Sequence, residues 1–171
     1  MDRPAPLHPD QWSPALAEIS GKLGNPLNIH RIMAHNPALM QAWMPYRNHI
    51  VADSSLEPRH RELLILRIAV NCDADYEWQH HVVRGRAAGL SNDEIQRVKA
   101  GPDAEGWQAQ ESVLLRAADE CLRDSKISDE TYATLSRYYD LAQQMDIITT
   151  VGMYLSLATI IKTFRLPLEK D

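Results

Sequence analysis

Glu62, Glu77 and His81 are the side chains of this sequence whose types and spacing best suit chemistry. All seven histidines fall at or before residue 81, and two of them, His80 and His81, follow a turn near Asp73. Glu62 lies eleven residues before that turn and His81 eight after it. At about 1.5 Å per helical residue the axial offset is about one turn, so the two can face each other across a helix pair. Glu77 stands four residues before His81, on the same face of the second helix. Two carboxylates and an imidazole in an apolar setting suit general acid/base catalysis, because burial raises carboxyl pKa values and a neighbouring carboxylate raises that of histidine. A satisfied structural pair is the other reading of the same spacing.

Other candidates surround this trio. Arg84 and Arg86 could bind a carboxylate, and Trp78 and His80 share the helix of His81. Tyr154, far along the chain, is a candidate for lining a pocket. Glu57-Pro-Arg-His60 and Glu77-Trp-Gln-His80 both have the Glu-x-x-His spacing of di-iron bundles. Across the turn, however, they lie more than about 10 Å apart along the axis, so no metal site is expected. Cys72 and Cys121 form no nucleophilic or pairing motif and read as small buried thiols of a reducing compartment.

The elements that must position these residues are helices. Only 7 glycines and one phenylalanine occur in 171 residues, and nine of the ten prolines lie outside residues 59–166, which only Pro102 interrupts. Helices are expected over 13–23, 28–34, from Asn36-Pro37 to Pro45, then 59–72, 74–88, 91–99, 105–124, 128–141 and 144–164. The 59–72 stretch is apolar all round, the mark of a buried helix, and makes Glu62 and Arg67 costly unless paired or used. Four prolines in residues 1–14 make that start an extended arm, leaving 15–171 as one all-α domain. The net charge of −5, without a basic block, argues against nucleic acid as a partner. The apolar run 147–161 is fifteen residues long and interrupted by polar side chains, so a soluble cytoplasmic protein with no membrane partner is expected.

Arg61-Glu-Leu-Leu-Ile-Leu-Arg-Ile-Ala and the run from Tyr76-Glu-Trp-Gln-His-His-Val-Val-Arg to Ser-Asn-Asp-Glu-Ile95 resemble the carboxymuconolactone decarboxylase family, which includes the alkylhydroperoxidase D-like proteins. The resemblance is strongest over 56–99 and extends to His30-Arg-Ile-Met-Ala and Phe164-Arg-Leu-Pro-Leu-Glu169. It implies an all-helical bundle assembling into homotrimers or homohexamers, with sites near subunit interfaces. Its peroxidase branch uses a Glu, a Cys-x-x-Cys and a His four residues beyond. With His81 on that His, Glu62 falls on the Glu, while Ala74 and Glu77 replace the cysteines. Dithiol chemistry then cannot run, and Cys72 is out of register. The decarboxylase branch acts without a cofactor on a carboxylated lactone. By that resemblance Glu62, Glu77 and His81 would be catalytic, His81 as the acid that protonates carbon. Arg67 or Arg84 would grip the small-molecule substrate, with Trp78, His80 and Tyr154 as further contacts. A peroxidase and a non-catalytic helical oligomer are the alternatives.

Overall fold

The computed structural model describes residues 2–169, and among them every regular element is helical. The helices are α1 (Ala17–Leu23), α2 (Asn28–Met33), α3 (Pro37–Asn48), α4 (Pro58–Asn71), α5 (Asp75–Ala87), α6 (Asn92–Arg97), α7 (Ala109–Asp124), α8 (Asp129–Leu135) and α9 (Leu141–Phe164). α4 runs through the middle, packed against α5, α7 and α9. Its Leu63, Leu64, Ile65, Leu66 and Ile68 are almost wholly buried, each worth about 1.5–3 kcal/mol of apolar transfer. The all-round apolar pattern therefore belongs to a helix enclosed on every side. Where α5 crosses it, Gly85 allows close approach: a Cβ there would meet Leu90 Cδ1 at 3.1 Å and Leu66 Cδ1 at 3.4 Å.

Several boundaries differ from expectation, each for a local reason. Pro45 does not end α3; it is exposed, so the carbonyl that loses its partner can turn to water, and the helix runs on to Asn48. A π-helical turn, His49–Asp53, follows. Asp146 of α9 holds that turn in place: its carboxylate accepts bonds from His49 Nε2 (2.7 Å), Ser54 Oγ (2.9 Å), Ser55 N (2.8 Å) and Ser55 Oγ (2.7 Å). Burial raises the pKa of Asp146, but these donors outweigh it and hold the group below its ordinary value. α7 begins at Ala109 rather than 105, since Gly106 adopts φ +94° and the Trp107 indole donates to Gly101 O. α8 stops at Leu135, and α9 starts early at Leu141 because Asp140 and Gln143 form a capping box.

The N-terminal arm is ordered onto the bundle rather than free: Pro9–Gln11 and Pro14–Leu16 are single 3₁₀ turns, Leu16 is buried and Leu7 N donates to Arg31 O. α9 is 24 residues long and apolar enough, by length and composition, to cross a bilayer. Ten of its residues, including Gln144, Asp146 and Thr150, lie in the protein interior.

Candidate active site

α4 and α5 bring Glu62, Glu77 and His81 together, as the turn geometry requires. His81 Nδ1 lies 2.6 Å from Glu62 Oε2, and both side chains are buried. On the other side of the ring, Nε2 is 3.5 Å from Glu77 Oε2 and 3.3 Å from Arg84 Nη1. The spacing 77, 81, 84 places all three of these α5 side chains on one face. Tyr154 of α9 stands edge-on to the imidazole, with centroids 5.2 Å apart.

Burial decides the protonation of this cluster. It pushes the His81 pKa down, against the opposing pull of Glu62, so the ring is neutral. A neutral ring must then donate Nδ1–H to the Glu62 carboxylate, which leaves the Nε2 lone pair facing Glu77 and Arg84. Burial also pushes Glu77 up to about 7; Arg84 opposes this and Glu169 adds to it. Glu77 is thus a carboxyl group poised to give or take a proton near neutrality.

Two spaces meet at this cluster. The inner cavity, of about 30 Å³, is lined by Glu77, His80, Tyr76, His30 and Trp43. The outer groove, of about 420 Å³, runs past Pro58, Arg61, Glu62, Ala87 and Ala88. Arg47, Val51, His81, Arg84 and Tyr154 form the wall common to both.

Not every expected contact residue reaches these spaces. Arg84 and Tyr154 line both. His80 lines the inner cavity, where its Nε2 is 2.8 Å from Glu169 Oε2 of the C-terminal tail, although the pair is not aligned for a hydrogen bond. Arg67 lies elsewhere: its guanidinium clasps Asp119 through Nε (2.6 Å) and Nη2 (2.8 Å) and donates to Val98 O. It is a helix-to-helix tie, and the expectation that it grips substrate is corrected. Trp78 also lies outside both spaces, its ring under Lys99 Nζ at 4.7 Å. His60 is occupied by Gln110 at 3.0 Å, and among the described residues no three His, Cys, Asp or Glu side chains stand close enough to hold a metal ion.

Arg47, Arg61 and Trp43 were not anticipated. Arg47 carries a readable signal: with Met40 and Met44, both buried, it completes an i, i+4, i+7 face of α3. Glu169 carries none, since its partners Asn28 N and Tyr76 OH, each at 2.6 Å, are 141 and 93 residues away.

Residues 37–120, which include α3 to α6 and most of α7, match the carboxymuconolactone decarboxylase family. The match spans 84 of the 171 residues and takes in the helices that carry Glu62, Glu77 and His81. An uncharacterized peroxidase-related protein from a Silicibacter species shares the fold at TM-score 0.80 and 18% identity, over 97% of this chain and 92% of that one. An alkylhydroperoxidase AhpD core protein from Ralstonia eutropha is similar at TM-score 0.78 and 16% identity, over 95% and 87%. The debrominase Bmp8, in complex with 2,3,4-tribromopyrrole, is similar at TM-score 0.78 and 16% identity, over 96% and 90%. No curated protein matches the chain in sequence.

In the register that the resemblance implies, with His81 on the family's His, the two cysteine positions hold Ala74 and Glu77. Ala74 is buried at the start of α5 and Glu77 occupies the second thiol position. Cys72 and Cys121 are free, and burial pushes both thiols up, away from the thiolate that redox chemistry requires.

Proposed function

We propose that the protein is a cofactor-independent, decarboxylase-like enzyme acting on a small carboxylated lactone or related ring-cleavage product. The observation that carries this reading is the buried Glu62–His81 pair at 2.6 Å, whose Nε2, beside Arg84 Nη1, faces a carboxyl group titrating near 7. The carbon–carbon bond to the substrate carboxylate breaks and carbon dioxide departs. The bonding pair passes into the lactone system as an enolate, which Arg84 beside His81 stabilises. Glu77 delivers the proton to carbon, and His81, oriented by Glu62, relays a replacement from solvent. This assigns the acid role to Glu77 in place of His81, because burial keeps the imidazole neutral. A neutral Glu77 also avoids repelling the incoming carboxylate.

Carbon dioxide release from muconolactone-type substrates is the direct assay. His81→Gln and Glu77→Gln should each lower kcat by about 10²–10⁴-fold while leaving the fold intact by circular dichroism. Inactivity of the wild-type chain across a panel of carboxylated lactones sinks the reading. The peroxidase alternative requires a thiol mechanism that the raised Cys72 and Cys121 pKa values oppose.

Self-association is part of the same reading. Leu141, Met145, Ile148 and Leu155 are 71%, 54%, 45% and 44% exposed and follow one another at heptad spacing along α9, with exposed Gly152 in the same row. An uncharged stripe of this kind suits the same helix of a second copy. Light scattering should give a multiple of the 19.4 kDa chain mass, and Leu141→Glu combined with Met145→Glu should return it toward the monomer. A wild-type monomer at high concentration contradicts this.

A further inference from the structure

Arg47 and Arg84 are partly buried arginines that share one wall of the site, and among the described residues neither is tied to a carboxylate. Arg59 holds Glu94 and Glu111, and Arg67 holds Asp119. Among the described residues Arg47 donates to Asn48 Oδ1 at 3.1 Å, and Arg84 to the Nε2 lone pair of His81 at 3.3 Å. Neither has a carboxylate partner among the described residues, yet both line the wall shared by the inner cavity and the outer groove.

The nearby carboxylates bond to other groups. Glu62 is committed to His81 at 2.6 Å, and Glu169 to Asn28 N and Tyr76 OH. Glu77, its pKa raised to about 7, is only partly ionised near neutral pH. His30 adds no third cation: burial, with Arg47 and Arg84 contributing, pushes it down to about 4. Two guanidinium groups at one wall, neither in contact with a carboxylate, have donors left to hold an anionic ligand.

We propose that Arg47 and Arg84 together clasp the carboxylate of a ligand whose apolar body lies in the outer groove. The division of space agrees. The inner cavity, about 30 Å³, has room for a carboxylate head or a water or two. The outer groove, about 420 Å³, falls in the roughly 300–1,000 Å³ range of small-molecule sites and offers Val51, Pro58, Ala87 and Ala88 as an apolar wall. The inference rests on the decarboxylase-like reading for the reacting group, and adds Arg47, from a helix that carries none of the other charged site residues, as a ligand-binding side chain. Guanidinium is suited to the task because its planar fork bonds both carboxylate oxygens.

Calorimetric titration with benzoate and its neutral isostere benzamide tests the clasp without requiring turnover. Benzoate should bind saturably and at least tenfold more tightly than benzamide. Arg47→Gln and Arg84→Gln should each weaken benzoate by about 10–100-fold, the range of a lost charge-assisted bond, with Arg47→Lys in between. Absence of benzoate binding, equal affinity for the two probes, or unchanged affinity in Arg47→Gln overturns the proposal. Should an arginine variant fail to fold, the benzoate–benzamide comparison on the wild-type chain still decides. The two readings fail separately: benzoate binding lost in Arg47→Gln with no lactone decarboxylated retains the clasp alone. Decarboxylation unaffected by Arg47→Gln retains the reaction alone.

Discussion

At pH 8 the Glu77→Gln chain should unfold at higher urea concentration than the wild-type chain, and near pH 4 the two should coincide. Folded Glu77 keeps its proton up to about 7, whereas the unfolded group releases it near the ordinary 4.5. Between those values the folded state binds more protons, so this group's contribution is fullest below 4.5, falls as pH rises through the window and levels off above 7. The span corresponds to roughly 3–4 kcal/mol, at about 1.36 kcal/mol per pKa unit. Glutamine has no proton to lose and escapes the loss. His81 has the opposite sign, its lowered pKa costing stability as pH falls below 6.5, but it is present in both chains and cancels in the difference. Urea melts at pH 4, 6 and 8 measure the effect. A variant no more stable than wild type at pH 8 would falsify the assignment of a buried carboxyl titrating near neutrality.

Arg59→Met should destabilise the fold by about 3–5 kcal/mol, the cost of leaving a buried partner charge uncompensated. Arg59 Nε and Nη2 donate to Glu111 Oε1 at 3.1 and 2.7 Å, Nη1 reaches Gly89 O at 3.1 Å, and Nη2 meets Glu94 Oε1 at 2.5 Å. One guanidinium thus ties α4 to α6 and α7 and to the turn that ends α5. Glu111 is only 3% exposed and is the group left stranded. Arg59→Met with Glu111→Gln should recover much of the loss, since the second change removes the orphaned charge. The acid limb should change as well. Bonding to Arg59, chiefly, holds Glu94 down at about 2, so its contribution is present above 4.5 and lost as pH falls through 2. In Arg59→Met that acid-dependent loss should shrink. Denaturant melts showing less than about 1 kcal/mol of destabilisation would mean that water reaches Glu111 and the network contributes little.

The Glu62–His81 contact was legible because it depends on local quantities: helix rise, the length of the turn and the apolar character of α4. Arg84 follows from the same reasoning, one turn beyond His81. Pro45 reads equally as a bend or an end of α3, and its exposure, a tertiary fact, makes the lost hydrogen bond tolerable, so the helix continues through it. Arg67 and Arg84 looked equivalent as carboxylate ligands. Asp119, 52 residues from Arg67 in the chain, distinguishes them, and no local pattern announces that pairing.

By itself the sequence determined that the chain is helical, that α4 is enclosed and that Glu62, Glu77 and His81 converge, since each depends on neighbours within one or two helices. Tertiary structure alone decided which arginines are left without a carboxylate, which proton Glu77 holds and how the tail's Glu169 closes on Tyr76. Those outcomes depend on desolvation and on charges brought together from distant segments. Both are set by the whole packed molecule, so residue type and spacing do not encode them.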